Sequence, residues 1–291
     1  NKHNVTIKGL NPGMRSNIDV NGINDLLGPG GGSKLVARNA EAAIKVETGM
    51  KGVKIMNLMV SGGTEAKNIG IHFVGATDNG MLSNIIGINL HTGVKIEQAK
   101  NMQIVNCWVC ELPNSIELIG GENIVVKNCQ LGAQPTGITC KVQEVNKLSF
   151  INNQVYPDGR ENLVLDACNN CVIEGNNFKS YYNGILVLNG NDNTVNKNIF
   201  WLTGAVQNQL LDHGDDFGII NVKGNNNMVA SNSLSCEWAY AGAVTVNAVQ
   251  GTGNVFKNCF VDNLESYRVF LVNAQTEVSN CVSSDKVSIV E

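Results

Sequence analysis

A chain of 291 residues, 43% hydrophobic and 16% charged, holds apolar material for one large core or two ordinary ones, which excludes disorder. Its 25 acidic residues against 21 basic ones leave a formal charge of −4 with no basic cluster, so the electrostatic footprint of a nucleic-acid binder is missing. No apolar run approaches the roughly eighteen residues of a membrane span or forms a signal h-region; Ile185-Leu186-Val187-Leu188 is among the longest, so no membrane partner is expected.

The chain opens on Lys2-His-Asn-Val-Thr-Ile-Lys-Gly9, a strand pattern without a cap, so either residues upstream of Asn1 are missing or another subunit covers that end. Gly28-Pro-Gly-Gly-Gly-Ser-Lys34 lacks the order of a phosphate loop and reads as a flexible turn. Further on a phrase recurs: apolar, polar, small or Asn, then Asn or Cys, then any residue, then apolar. Weak copies start at Ile55 and Leu82, and full copies at Ile104, Val126, Phe150, Ile173, Val195, Val229, Phe256 and Val278. The fourth position falls at 107, 129, 153, 176, 198, 232, 259 and 281, at intervals of 22, 24, 23, 22, 34, 27 and 22.

A period near 22 is too short for a helical hairpin, and each period carries β-type triplets such as Val94-Lys95-Ile96 and Ile116-Glu117-Leu118 between Asn/Gly turns. One period therefore predicts one coil of an all-β, single-stranded right-handed parallel β-helix. About ten coils at 4.8 Å spacing make a single domain over residues 1–291, a rod roughly 45–50 Å long. Stacked coils pile equivalent turn positions on one another, so Asn side chains can bond from rung to rung, and cysteine fits the same inward slot. Cys107, Cys129, Cys259 and Cys281 are thus expected to be small core side chains. The odd count of nine cysteines argues against a disulfide framework, and Cys107-Trp-Val-Cys110 and Cys168-Asn-Asn-Cys171 are not read as a metal site.

In such a solenoid packing fills the inward positions, so chemistry belongs to outward faces and to turns longer than the repeat needs. The 34-residue step holds the most acidic stretch, Gln207 to Gly218, with Asp212, His213, Asp215 and Asp216. That loop reads as a cation or sugar site or as a solvated turn; it matches no defined ligand pattern, and no metal is assigned. Counting seven places from the phrase start puts Asn89, Glu111, Ala133, Pro157 and Ser180 in one turn stack, with Glu111 its only carboxylate. Near His91, Tyr181, Tyr182 and Trp201 that acid is expected to be partly desolvated, which suits a general acid; the alternative is a solvated turn glutamate. Glu117 should stack on Lys95, and Lys100 on Glu122, as surface ion pairs of little weight. Tyr181, Tyr182 and Trp201 offer faces for sugar rings, or serve as ladder aromatics.

The segments Glu111-Leu-Pro-Asn-Ser-Ile-Glu-Leu118, Val155-Tyr-Pro-Asp-Gly-Arg160, Asn176-Asn-Phe-Lys-Ser-Tyr-Tyr182 and Leu210 to Asn227 carry a resemblance. Together they resemble the inulin fructotransferases (inulin lyases) and the related difructose-anhydride hydrolases, from about Val5 to Asn258. The resemblance implies a trimeric β-helix without metal or organic cofactor. Its partner would be a fructan or a difructose anhydride. The reaction would be intramolecular fructosyl transfer at a β-2,1-fructan end, releasing a difructose dianhydride, or hydrolysis of that product.

The family's catalytic Glu falls on Glu111 and its Asp on Lys100, a departure from the pattern. Glu97, Glu117 and the Asp212–Asp216 loop are the candidates for a second acid, with Lys100 a modulator. His91, Arg160, Tyr181, Tyr182, Trp201, Asp212 and Asp216 are the candidate substrate-binding residues. A non-catalytic glycan-binding or structural trimer is the alternative.

Overall fold

The computed structural model describes residues 3–10, 33–37, 40–62, 67–203, 216–236, 244–262, 268–282 and 287–290. No helix occurs among them. The strands pair in parallel with those one coil earlier and later, so residues some two dozen apart become neighbours: Lys95 with Glu117, Glu117 with Lys141, Lys141 with Val164. This is the expected β-helix.

Each coil has three straight segments. The strand Asn114–Lys127 lies first on the sheet that we call the third, bends at Gly120 to Asn123, and continues on the first sheet. The strand Gln130–Ala133 then forms the second sheet, and a lateral turn leads back to the third at Ile138. The apolar head of the recurring phrase points inward on the first sheet, where Ile55, Leu82, Ile104, Val126, Phe150, Ile173, Val195, Val229 and Phe256 stack fully buried. Each such side chain contributes about 1.5–3 kcal/mol relative to exposure. Phe150, Phe178 and Phe200 stack face to face through this core, with centroids 6.0 and 5.0 Å apart.

The third and fourth phrase positions divide the work of the corner. The third is left-handed: Asn106, Asn128, Asn152, Lys197, Ser231, Asn258 and Asn280 have φ of 51–56°, with Gly175 at 68°. Asn is the side chain that tolerates this region best, which explains its frequency there. The fourth points inward. Asn153, Asn176, Asn198 and Asn232 form a buried ladder, each Nδ2 donating to the Oδ1 of the next, at 3.0, 2.9 and 3.0 Å. Each also donates to the carbonyl of the phrase head one coil below, as Asn176 Nδ2 does to Phe150 O at 2.8 Å.

At two of the four positions where cysteine replaces Asn the same carbonyl is kept. Cys129 Sγ contacts Ile104 O and Cys259 Sγ contacts Val229 O, both at 3.6 Å. The eight cysteines whose side chains are described are buried free thiols. A second ladder, Cys171-Asn193-Asn227-Asn254, runs up the corner between the third and first sheets.

One expectation of register changes, and two expected ion pairs form with other partners. Ala133 pairs with Leu112, because a bulge makes Glu111 an extra residue with φ 64°. Glu111 therefore leaves the stack predicted for it. Lys95 does lie opposite Glu117, but its ammonium binds Glu97 on its own strand at 3.0 Å. Lys100 likewise lies opposite Glu122, whose carboxylate binds Lys147 at 2.6 Å, leaning to the coil above.

Candidate functional site

The lateral turns between the second and third sheets pile into a ridge, and this ridge gathers several of the candidate residues. His91, Glu111, Arg160, Tyr181 and Asp216 all sit on it, joined by turn-to-turn hydrogen bonds: Asn114 N to His91 O, Gln134 Nε2 to Glu111 O, Arg160 N to Gly137 O and Tyr181 N to Pro157 O. His91 is exposed, with Nδ1 3.0 Å from Thr92 Oγ1. Glu111 is exposed as well. The desolvation expected of Glu111 is not found, because the bulge turns it outward.

The half-buried acid of the ridge is Glu161, which the sequence reading missed. Its side chain is 15% exposed, and Arg160 Nε stands 3.8 Å from Oε1. Carrying the Leu163–Leu186 and Leu186–Ile220 register back two residues puts Gly184 and then Gly218 on the two rungs above it. Neither rung therefore carries a side chain over the acid. The ring of Phe217 enters that space instead: a Cβ on Gly184 would lie 2.8 Å from Phe217 Cε1 and 3.4 Å from Glu161 Cγ. Asn183 Nδ2 donates to Phe217 O at 2.6 Å and fixes the backbone there. Burial pushes the Glu161 carboxyl above the usual carboxylate range, against the pull of Arg160. A carboxyl whose proton affinity is raised by burial against a ring is suited to proton donation. The signal was present in the sequence as two glycines 23 and 34 residues apart at one register position, Glu161 to Gly184 to Gly218.

Other candidates fall elsewhere. Tyr182 is buried within the ridge, its N–H on Ser180 Oγ, so its ring is no sugar platform. Trp201 lies on the outer face of the second sheet beneath Lys179, whose ammonium is 4.7 Å from the ring centroid. Glu97 and Lys100 belong to the opposite side, near the corner between the third and first sheets, and Glu117 to the third-sheet face. None of these three meets Glu111 within the chain. Glu97 lies between Lys95 and His72 Nε2, at 3.0 and 3.4 Å; burial acts to raise its carboxyl, but the Lys95 ammonium and the His72 ring beside it outweigh that and hold it low. Lys100 bridges Asp78 backbone to backbone. Asp212, with His213 and Asp215, lies outside the described residues.

No curated protein matches the chain by sequence. Among solved structures it is similar to a DFA-IIIase from Arthrobacter chlorophenolicus A6 in complex with GF2, at a TM-score of 0.81 and 20% identity, over 98% of this chain and 81% of that one. The same enzyme in complex with DFA-III gives 0.79, with 20% identity over 98% and 81%. A more distant likeness is the Dettilon tailspike protein gp208, at 0.51 and 15% identity over 86% and 60%. At these identities the likeness is one of fold.

Two family models match, each over more than half the chain: periplasmic copper-binding protein (NosD) over residues 35–204, and the right-handed β-helix region over residues 136–289. Among the described residues no three His, Cys, Asp or Glu side chains gather to hold a metal, and the described thiols are buried, all but Cys110 of them in the core, so these residues do not fit a copper centre. By these matches the chain belongs to the right-handed β-helix family, its residues 35–204 being of the NosD type.

Proposed function

We propose that the protein is a carbohydrate-active β-helix enzyme that works at the lateral ridge. Its reaction is fructosyl transfer within the end of a β-2,1-fructan to release a difructose dianhydride, or hydrolysis of such a dianhydride. The observation that carries the reading is the half-buried Glu161 against Phe217 on the same ridge as Glu111. A fold shared over nearly the whole chain with a DFA-IIIase solved with GF2 and with DFA-III supports the substrate class.

In the mechanism Glu161 donates its proton to the leaving glycosidic oxygen as the C2–O bond breaks. The acceptor hydroxyl, from the neighbouring fructose or from water, gives its proton to Glu111 as the new C2–O bond forms. Glu111 lies two rungs below Glu161, about 10 Å along the axis. That rise alone is just beyond the roughly 6.5–9.5 Å at which two carboxyl groups leave room for a water between them, so the gap suits an acceptor larger than a water. Arg160 steadies Glu161, and Tyr181 and His91 line the approach. A homotrimer, in which a neighbouring chain would complete the cleft, belongs to the same proposal.

Incubation with inulin and with difructose anhydride III, followed by chromatography of the products, tests it. One sugar should be converted, and Glu161→Gln and Glu111→Gln should each lose on the order of a hundredfold or more. Failure to convert either sugar, or parental rates in both variants, overturns the reading. The second reading, a glycan-binding or structural trimer without turnover, rests on Lys100 standing where the resembling family carries Asp. Saturable fructan binding without conversion would carry it.

A further inference from the structure

The third sheet carries a concavity away from the ridge. Its outward ladder runs Lys45, His72, Lys95, Glu117, Lys141, Val164, Val187 and Asn221, changing from charged to apolar at Val164. Beside the two valines runs a polar ladder, Gln143, Asp166 and Asn189, with Lys223 next to it. Between them lies a groove of about 190 Å³ whose two ends are Lys141 and Lys223. A volume below the ~300 Å³ at which drug-sized pockets begin holds one sugar ring, not a chain.

The lining says which ring. Val164 and Val187 lie on adjacent rungs, so their methyls make an apolar floor about 5 Å long, matched to the C–H face of a pyranose. Asn189 Nδ2 donates to Asp166 Oδ1 at 2.7 Å, which fixes amide and carboxylate together as hydroxyl partners. Elsewhere on the rod lysines meet glutamates: Lys95 with Glu97, Lys147 with Glu122, Lys197 with Glu174. Lys141 and Lys223 have no ion-pair partner among the described residues. The groove thus sets two ammonium groups against the single carboxylate of Asp166 and is complementary to an anion. The two lysines are three rungs apart, about 14 Å along the axis, and each side chain can reach inward over the valines, leaving room for one ring between them.

We propose that this groove binds one hexuronate residue, its ring face on Val164 and Val187, its carboxylate toward Lys141 and Gln143, and its hydroxyls on Asp166 and Asn189. The site is separate from the ridge and does not depend on what the ridge catalyses. Calorimetric titration of the intact protein with glucuronate, with glucose as the neutral analogue, and with trigalacturonate tests it.

Glucuronate should bind on the order of tenfold or more tighter than glucose, Lys141→Ala should remove that preference, and raised salt should weaken it. Lys197→Ala, outside both the groove and the ridge, should leave it unchanged. Trigalacturonate binding tighter than glucuronate assigns the groove to a chain-borne residue; equal or weaker binding assigns it to the free sugar acid. Equal affinity for glucose and glucuronate, undiminished glucuronate binding by Lys141→Ala, or no saturable binding of any of the three overturns the proposal.

Discussion

Asn176→Ala removes one rung of the buried ladder. Asn176 Oδ1 accepts from the backbone N–H of Asn153 at 2.8 Å and from its Nδ2 at 3.0 Å, while its own Nδ2 donates to Phe150 O and Asn198 Oδ1. After truncation Asn153 Nδ2 keeps Val126 O and Asn198 Oδ1 keeps the Asn176 N–H. The Asn153 N–H and one lone pair of Phe150 O are left without their partners in a site that water does not reach. At about 1–3 kcal/mol for each unsatisfied buried group, the loss should be about 3–5 kcal/mol. Asn176→Cys should lose only about 1–2 kcal/mol, since Cys129 and Cys259 keep a weak thiol contact to the equivalent carbonyl. Lys197→Ala breaks a mostly exposed pair with Glu174 and should stay within about 0.5 kcal/mol of the parent. Guanidinium unfolding followed by circular dichroism, with the slope m checked for constancy, measures all three. If Asn176→Ala falls within about 1 kcal/mol of the parent, the ladder is not what holds the corner.

Because burial raises the Glu161 carboxyl above its unfolded value, its contribution to stability is fully present below the unfolded value and is lost as pH rises through the folded one. Glu161→Gln should therefore gain stability relative to the parent near neutral pH, with the gain vanishing below about pH 4; thermal melts at several pH values read this. Gly184 has φ 150° and its Cβ would press on Phe217, so Gly184→Ala should cost about 1–3 kcal/mol and, on the proposed mechanism, lower kcat more than it raises KM. The eight described thiols are buried, so a thiol reagent should modify no more than one of the nine cysteines, Cys236, until the protein is denatured.

The solenoid was legible because its physics is periodic. A coil must return its inward side chains to the same place, so the phrase from Ile104 to Val278 had to recur, and its Asn or Cys column followed. The ladder at the other corner was not legible, although Cys171, Asn193, Asn227 and Asn254 each precede a phrase head by two residues. It belongs to the later coils only and has too few members to stand out. Periodicity also misplaced side chains wherever one residue was added. The bulge at Glu111 shifts the register by one, and in a strand one residue is the difference between two faces.

The candidate site was less legible for a related reason. Chemistry on a solenoid is made where the repeat is broken, and a break has no period to betray it. Glu161 resembles in the sequence any first residue of a strand, and its burial comes from what the coils above do not provide: no side chain at Gly184 or Gly218, and the Phe217 ring entering the gap. Stacking makes a residue's environment the property of its neighbours about 23 and 34 positions away. A carboxylate on a solenoid is therefore judged by its column, and the reading of Glu111 used a column from which the bulge removes it. The same reasoning separates Lys95 from Lys141 on one sheet face: Lys95 has Glu97 beside it, and Lys141 faces Val164 and a groove.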